Sequence, residues 1–431
     1  MRQKILHTPE GVRDIYKVEC RKKLALQEKL HHVLHLYGYH DIQTPTFEYF
    51  DVFRKEIGSI SVKELYKFFD REGNILALRP DITPSVARAA SALYEIEEMP
   101  MRLCYIGNTF INHSRYQGRL RENTQLGAEF IGVDSKDADA EMLAMVVDCL
   151  RQSGLENFQI SIGNVGFLHS LMKEAKLPAE YEEHLRELIS NRNYYGMTEL
   201  LDEADVKPEM KELFGHLQEL VGGPEVLDKA MEIAPNELAK RSIKRLKDTY
   251  EILKAYTVQK YITFDLSMSG AYGYYTGVIF RAYTFGTGDA VVKGGRYNHL
   301  MEKFGKRAPS IGFAVIIDEL MNALARQHVQ ISYEENAAII VYVDSQRRQA
   351  VSLAKEFRAR QNSTELFCKK SKETLDYYIQ YGKKNQAETL LYLPENGEIE
   401  MINLKTGERK TVGQKKEEQK QEESIKEEEQ S

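Results

Sequence analysis

Six polar residues stand where strand-like segments of the sequence end, and together they could bind a small cationic ligand. They are Asp81, Thr83, Gln125, Glu129, Tyr274 and Tyr275. Because successive side chains of a strand point to opposite faces, Gln125 and Glu129, four positions apart, project from the same side of the predicted sheet. Converging carboxylates, amide oxygens and phenols suit a ligand whose ammonium group and side-chain nitrogens need hydrogen-bond partners. The pattern leaves open a structural alternative, in which Glu129 forms an ordinary ion pair with Arg119 or Arg121.

Other chemistries have weaker support in the sequence. The segments GTGDAVV and KGGRY contain glycines but do not lead from a strand into a helix, as a dinucleotide-binding loop requires. Gly294 and Gly295 lie within a predicted strand, where two glycines let a ligand or another backbone approach closely. No G-x-S-x-G segment occurs, and no cysteine has an evident basic partner, so the sequence predicts neither a catalytic residue nor a cofactor.

Three histidines on one predicted helix resemble part of a metal site. His31 and His35 share a helix face because they are four positions apart, and His32 lies beside them. No carboxylate completes the set. We therefore expect a solvated helix face here and predict no metal.

The composition bounds the class of protein. A chain of 431 residues with 42% hydrophobic residues predicts two or three domains. No apolar run approaches the roughly 20 residues that span a bilayer, and the first residues lack the apolar core of a secretory signal, so a cytoplasmic protein with no membrane contact is expected. A net charge of -6 argues against a nonspecific nucleic-acid binder, and four widely spaced cysteines indicate neither disulfides nor a thiolate zinc site.

The elements that must position the six polar residues are visible in the first part of the chain. Hydrophobic spacing predicts a helix over 20–37. A hairpin is predicted to turn at 70–74, followed by a helix from near Ser85. Segments 101–113 and 124–133 are predicted to be antiparallel neighbours around a loop rich in arginine and glutamine. Pro45 favours a sheet edge or a subunit contact for the segment around it.

The rest of the chain divides by pattern. Residues from about 170 to 256 are almost wholly helical and charged, which indicates an insertion between strands. Strands resume near 261, with a hairpin turning at GTGD, and 310–327 begins as a strand and ends as a helix. An alternating α/β pattern over 336–413 predicts a small separate domain. The tail, 414–431, carries four lysines and seven glutamates and is expected to be disordered.

Several motifs, in this order and spacing, resemble the catalytic domain of a histidyl-tRNA synthetase, a class II aminoacyl-tRNA synthetase. The segments are LRPDITPSVARA, YIGNTFINHSRYQGRLRENTQLGAE, YYTGVIF, KGGRY and IGFAVIIDEL. GYHDIQTPTFE at 38–48 also resembles the first motif of that class, which builds a dimer interface. The resemblance covers roughly residues 5–325 and implies an α+β fold, with an antiparallel sheet flanked by helices in residues 1–325, a helical insertion at about 170–256, and at 336–413 a reduced domain of the anticodon-binding type.

The same resemblance implies a ligand for the six polar residues. Asp81, Thr83, Gln125, Glu129, Tyr274 and Tyr275 match the positions that bind histidine in the synthetases. Asp81 takes the place of a glutamate, one methylene shorter but still able to accept from an ammonium group.

Three positions depart from the synthetase pattern. Ile111 stands where the second class motif has an arginine, and Glu319 stands where the third motif has one. An arginine peculiar to the histidine enzymes is replaced by Gly270, or by Ser269 if the alignment slips by one residue. Ile316 also replaces a glycine that would leave room for the nucleotide. Since adenylyl transfer depends on positioned positive charge, the resemblance implies an amino-acid site without amino-acid activation.

This combination resembles a family of synthetase paralogues, the regulatory subunits of the short-form ATP phosphoribosyltransferase. It implies a noncatalytic chain that the short catalytic subunit needs for activity and for feedback inhibition by histidine, in the first step of histidine biosynthesis. The expected partners are that catalytic subunit, a second copy of this chain within a hetero-octamer of four regulatory and four catalytic subunits, and histidine, with no tRNA. Two alternatives stay open: a functional histidyl-tRNA synthetase with divergent motifs, and an interaction module without a ligand.

Overall fold

The computed structural model divides into two compact units, Met1–Ser332 and Tyr333–Ser431. The residues that it describes are 6–54, 60–95, 98–113, 119–268, 273–333 and 337–412. The predicted charged tail at 414–431 and the position of Gly270 lie outside these residues. Among the described residues, the structure contains no helix with the length and apolar character of a membrane span.

Along the sequence, helices come before, between and after the strand-rich segments, and the largest group of helices lies in the middle of the chain. In chain order they are α1 (Lys17–Leu36), α2 (Thr83–Leu93), α3 (Lys136–Gln152), α4 (Val165–Glu174), α5 (Ala179–Ser190), α6 (Tyr194–Glu203), α7 (Pro208–Gly215), α8 (Glu225–Ile233), α9 (Glu237–Ala255), α10 (Ile317–Arg326), α11 (Arg347–Ala359) and α12 (Leu375–Lys384).

The strands form one large sheet and one small sheet in the first unit, and a third sheet in the second unit. They are β1 (His40–Asp41), β2 (Phe47–Tyr49), β3 (Lys67–Phe69), β4 (Ile75–Leu78), β5 (Met101–Phe110), β6 (Glu122–Ile131), β7 (Phe158–Asn164), β8 (Val221–Gly222), β9 (Ile262–Asp265), β10 (Val278–Thr284), β11 (Val292–Arg296), β12 (Ser310–Ile316), β13 (Ala337–Tyr342), β14 (Ser363–Cys368), β15 (Thr389–Leu393), β16 (Ile399–Asn403) and β17 (Arg409–Val412).

The large sheet has nine strands in the order β1-β5-β6-β12-β11-β10-β7-β9-β8. Its pairs are antiparallel except β1 with β5 and β7 with β9. The predicted antiparallel pairing of β5 with β6 is confirmed, and so is the hairpin of β10 and β11 around GTGD. An antiparallel sheet flanked by helices is the predicted α+β class.

Two helices cover the large sheet and account for much of the core. α1 extends over the predicted helix, and its buried residues Leu26, Leu30, Val33 and Leu34 recur at helical spacing. α3 is capped by Ser135, whose hydroxyl accepts from the backbone N–H of Ala138 at 3.1 Å. Its apolar face packs into the same cluster as α1.

The chain around Pro45 contributes β1 and β2, and each lies at the edge of its sheet, as the proline predicted. β2, β3 and β4 form the small sheet. The predicted turn at 70–74 joins β3 to β4, and the Asp70 carboxylate stabilises it by accepting from the backbone N–H of Asn74 at 2.7 Å. β4 then leads through Asp81 into α2, which begins at Thr83, two residues earlier than predicted.

A buried cluster of three charged residues joins β11 of the large sheet to the helices α3 and α9. Asp139 on α3 is fully buried, and its Oδ1 accepts from Arg296 Nε at 2.9 Å and from Nη2 at 2.6 Å. Its Oδ2 accepts from Arg245 Nε on α9 at 2.6 Å. Arg296 is only 3% exposed, so a charge is left without compensation in the interior if one partner is removed.

The helices α4 to α9 and the short strand β8 occupy the chain between β7 and β9. β8 pairs with β9 at the edge of the large sheet. In the second unit the strand order is β14-β13-β15-β16-β17, with β13 parallel to both β14 and β15, which confirms the predicted α/β alternation with parallel strands.

Candidate functional site

A polar pocket of ≈ 350 Å³, including its open mouth, lies over β6, β11 and β12. Its lining residues are Asp81, Thr83, Gln125, Tyr274, Tyr275, Lys293, Tyr297, Gly312, Phe313, Ala314 and Ile316. Five of the six residues predicted from the sequence therefore meet at one place. The sixth, Glu129, is buried and hydrogen-bonded to two of the lining residues, Thr83 and Tyr297.

Glu129 is held by three hydroxyl groups. It accepts from Tyr297 at 2.5 Å, from Thr83 at 2.7 Å and from Tyr105 at 3.2 Å, and it has no exposed surface. Burial raises the pKa of Glu129 to about 8, although the hydrogen bonds from Tyr297 and Thr83 act in the opposite direction. Without a ligand this carboxyl group is therefore mostly neutral at pH 7, whereas the sequence analysis assumed an anion.

The suggested ion pair of Glu129 with Arg119 or Arg121 was wrong. Arg121 instead lies 3.7 Å from the carboxylate of Glu10 and donates to the carbonyl oxygen of His113 at 3.3 Å. No salt bridge to Glu129 occurs among the described residues. Glu129 is therefore not part of an ordinary surface ion pair.

Asp81, two residues before Thr83, contributes a second carboxylate to the site. Its Oδ2 accepts from the Tyr274 hydroxyl at 3.0 Å, and its Oδ1 accepts from the backbone N–H of Thr83 at 3.4 Å. The side chain is 4% exposed. These contacts fix the carboxylate at the start of α2, where it can accept from a ligand in the pocket.

Gln125 supplies an acceptor that nothing in the described part of the chain satisfies. Its Oε1 is buried and has no hydrogen-bond donor there. A buried carbonyl oxygen without a donor costs on the order of 1–3 kcal/mol. Because Gln125 lines the pocket, a ligand N–H is the natural partner for this oxygen.

Glycines at three positions around the pocket leave room for closely packed neighbouring atoms. A Cβ at Gly312 would lie 1.7 Å from Glu129 Oε2, and one at Gly295 would lie 2.8 Å from the Tyr275 ring. A Cβ at Gly294 would meet the Phe280 ring at 2.4 Å. The expectation that these glycines admit another backbone is confirmed at Gly294, where a Cβ would also lie 2.7 Å from the Gly312 carbonyl oxygen, whereas Gly295 makes room for the Tyr275 side chain.

The sequence analysis missed three residues of this site: Tyr105, Tyr297 and Lys293. Tyr297 lies two residues after Gly295, just past the end of β11, so the glycine pair was the signal that could have found it. Lys293 lines the pocket, and its Nζ donates to Asp289 Oδ2 at 2.9 Å. It adds a cation to a site for which only acceptors and phenols were predicted.

Of the described positions that depart from the synthetase pattern, one lines the pocket and two are half-buried elsewhere in the first unit. Ile316 lines the pocket with a branched side chain. Ile111 is half-buried, and its backbone N–H donates to the Arg121 carbonyl at 2.9 Å. Glu319 is also half-buried, and burial together with the neighbouring carboxylates of Asp289 and Asp318 raises its pKa.

Asp318, beside Glu319, has a structural role. Its Oδ1 accepts from Lys23 Nζ on α1 at 2.7 Å, and its Oδ2 accepts from the backbone N–H of Thr124 on β6 at 2.7 Å. The side chain is only 4% exposed. This carboxylate therefore joins α10 to α1 and to the start of β6.

A separate group of metal-binding residue types lies outside this pocket. His31, His35, Asp41 and Cys104 place one ligand atom each within 4.8 Å of one another. The expectation that no carboxylate completes the histidine set was wrong, since Asp41 on β1 does so.

Comparison with known proteins agrees with this architecture. The family model for histidyl-tRNA synthetase matches residues 11–320. A histidyl-tRNA synthetase structure from Nostoc superposes with a TM-score of 0.78 at 18% identity, over 95% of this chain and 97% of that one. The structure of an ATP phosphoribosyltransferase regulatory subunit/histidyl-tRNA synthetase from Bacillus halodurans gives 0.81 at 28% identity, over 90% and 98%. The fold and site thus define a protein of the histidyl-tRNA synthetase type.

Curated relatives narrow the family. An ATP phosphoribosyltransferase regulatory subunit from Acetivibrio thermocellus is 38% identical over 353 residues, which is 82% of this chain and 84% of the relative. One from Ruminiclostridium cellulolyticum is 32% identical over 400 residues, 93% and 95% of the two chains. This chain belongs to the family of ATP phosphoribosyltransferase regulatory subunits, which have the synthetase fold but are not themselves catalytic.

Proposed function

We propose that this chain is a cytoplasmic histidine sensor that binds the short-form ATP phosphoribosyltransferase catalytic subunit. The catalytic subunit needs it both for activity and for feedback inhibition by histidine, in the first step of histidine biosynthesis. The observation that carries the proposal is the buried Gln125 Oε1, which has no donor among the described residues and lines a pocket beside Asp81. In a synthetase-type fold, such an acceptor suits the ammonium group of an amino acid.

The charges around the pocket suit both ends of an amino-acid zwitterion. Asp81 and Gln125 are acceptors for the ammonium group, and Lys293 is a cation for the carboxylate. Tyr274 and Tyr275, with ring centroids 4.9 Å apart, provide aromatic surface and hydroxyl groups for the imidazole. Thr83 and Tyr297 position Glu129 behind them.

The same surroundings disfavour activation of a bound amino acid. Ile316 narrows the pocket, and Glu319 is a carboxylate where a triphosphate needs a cation. Positioned positive charge typically contributes several kcal/mol to such transfers in a dry site. Histidine would therefore act only as a ligand, shifting the complex toward one of its conformations. A tenfold difference in affinity between two conformations corresponds to roughly 1.4 kcal/mol of coupling.

The proposed assembly is a hetero-octamer of four regulatory and four catalytic subunits, with regulatory dimers formed through residues 38–48. Phe47 and Tyr49 on β2, 51% and 60% exposed, are apolar surface that a dimer contact would cover. Copurification with the short catalytic subunit, followed by a mass measurement, tests both the partner and the stoichiometry.

A substitution in the pocket should remove inhibition by histidine without reducing activation of the catalytic subunit. With Asp81→Asn, we expect the chain to activate the short catalytic subunit as the parent does, while inhibition by histidine is largely lost, because the variant removes a charge from the pocket and leaves the rest of the chain intact. The measurement is the rate of phosphoribosyl transfer with and without histidine. Asp376→Asn, an exposed aspartate of the second unit, is the matched control and should keep both properties.

Two results would contradict this function. Full inhibition of the Asp81→Asn complex by histidine would remove the pocket from the sensing role. Histidine-dependent exchange of pyrophosphate into ATP by the purified chain would instead favour a functional histidyl-tRNA synthetase.

Binding of histidine should also release a proton. At pH 7 the raised pKa of Glu129, about 8, leaves the group mostly protonated, and a nearby ammonium group lowers that pKa and favours the carboxylate. We expect a calorimetric binding enthalpy that differs between phosphate and Tris buffers, in proportion to a release approaching one proton per histidine. In Glu129→Gln, which has no titrating group there, the part of the buffer dependence that Glu129 contributes should disappear, leaving only the part from the ligand imidazole. A parent without buffer dependence would show that Glu129 keeps its protonation state on binding.

A further inference from the structure

Four side chains from three elements converge at one edge of the large sheet. His31 and His35 come from the same face of α1, Asp41 from β1 and Cys104 from β5. Asp41 and Cys104 are paired residues of the parallel β1–β5 ladder, and the backbone N–H of Ile42 donates to the Cys104 carbonyl at 2.9 Å. The backbone therefore fixes the relative positions of the carboxylate and the thiol.

The distances between the ligand atoms are close to those of a tetrahedral metal site. Cys104 Sγ lies 3.7 Å from His31 Nε2 and 3.5 Å from Asp41 Oδ1, and His35 Nε2 lies 3.2 Å from Asp41 Oδ2. Zinc bonds of about 2.0–2.3 Å to nitrogen, oxygen and sulfur give tetrahedral edges of roughly 3.3–3.6 Å. His31 Nε2 and Asp41 Oδ1, hydrogen-bonded at 2.5 Å, must separate by about 1 Å to admit an ion, and the other ligand atoms, which lie within 4.8 Å of one another, must close to these edge lengths.

We propose that His31, His35, Asp41 and Cys104 form a structural site for a tetrahedral divalent transition metal, with Zn²⁺ as the ion that best suits this ligand set. One thiolate and two imidazoles favour Zn²⁺ over Mg²⁺ or Ca²⁺, which prefer oxygen ligands. The proposal does not depend on the histidine-sensing function.

The charges in this group support a cation. Within the described part of the chain, no lysine or arginine forms a salt bridge with Asp41, whose ion-pair partners are His31 and His35. The Cys104 side chain is buried and enters the site as a thiol that carries its proton. Metal binding forms a metal–sulfur bond and releases this proton to solvent, with no change of oxidation state.

The exposure of the four residues suits entry of an ion from solvent. His35 and Asp41 are exposed, His31 is half-buried and Cys104 is buried, so the ligands extend from the surface inward. A bound metal would join the C-terminal half of α1 to the edge strand β1, which has only two residues and one neighbouring strand.

The experiment uses Co²⁺ as a spectroscopic probe of the full-length chain. We expect one Co²⁺ per chain, with a thiolate-to-cobalt charge-transfer band in the near ultraviolet and the strong visible bands of tetrahedral cobalt. Addition of Zn²⁺ should displace the cobalt and abolish both signals. Cys104→Ser should lose the charge-transfer band, and His35→Ala should weaken cobalt binding at least tenfold.

Two matched variants separate this site from adventitious binding. His32→Ala removes an exposed histidine next to the ligands, and Cys368→Ser removes an exposed thiol of the second unit, so both should keep the full spectrum. Because His35 is itself exposed, loss of cobalt affinity in His35→Ala does not arise from unfolding. The proposal is overturned if the parent gives no charge-transfer band, if the band survives in Cys104→Ser, or if Cys368→Ser abolishes it.

Discussion

Replacement of Asp81 by asparagine should weaken histidine binding about 30- to 100-fold in a calorimetric titration of the isolated chain. The variant keeps the shape of the side chain and an acceptor for the Tyr274 hydroxyl, but it removes the charge that pairs with the ligand ammonium. This range corresponds to a loss of about 2–2.8 kcal/mol, which lies within the roughly 1.5–3 kcal/mol that a hydrogen bond to a charged group contributes.

The matched control for this titration is again Asp376→Asn, which should bind as the parent does. A parent that fails to bind histidine would support an interaction module without a ligand. Equal binding by parent and Asp81→Asn would place the ammonium group elsewhere in the pocket, with Gln125 as the next residue to test.

Removal of the Asp139 carboxylate should cause a large loss of stability. In Asp139→Ala, the Arg296 guanidinium stays buried at 3% exposure without its main partner, and Arg245 loses its shortest contact. Breaking a buried pair in this way costs about 3–5 kcal/mol. Chemical denaturation, followed by circular dichroism, should show the transition of the first unit at a clearly lower denaturant concentration.

Asp137→Ala provides the comparison for this experiment. Asp137 lies in the first turn of the same helix but is exposed, so only its favourable interaction with the helix N-terminus is lost, about 0.3–1 kcal/mol. Equal effects of the two substitutions would show that the cluster around Asp139 contributes no more than a surface charge.

Local patterns in the sequence predicted most elements of the fold. The helix α1, the turn between β3 and β4, and the pairing of β5 with β6 each follow from spacing or turn residues that lie close together in the chain. Boundaries shifted by one to three residues. α2 begins at Thr83 rather than Ser85, with Pro84 in its first turn, where the fixed φ of proline is compatible with a helix.

The sequence predicted only part of the site, and there is a physical reason why the other residues were missed. Asp81, Gln125 and Glu129 carry chemistry that is recognisable from residue type. Tyr297 was missed because its role depends on a cross-strand contact with Glu129, and Lys293 because its pocket-facing position depends on the register of β11. The set of His31, His35 and Asp41 was misjudged because Asp41 follows the helix on a different element, and only the folded chain brings its carboxylate to the two imidazoles.

The contacts of Asp318 limit which catalytic groups substitutions could introduce into this chain. Arginines introduced at positions 111 and 319 would restore two cations, but Asp318 would still bind Lys23 and the backbone of Thr124, and Ile316 would still occupy the cleft. Replacing Asp318 as well would break the junction between α10, α1 and β6, so that change would come with a loss of folding stability. The residue beside Glu319 is therefore constrained by the fold itself, whatever ligand the pocket binds.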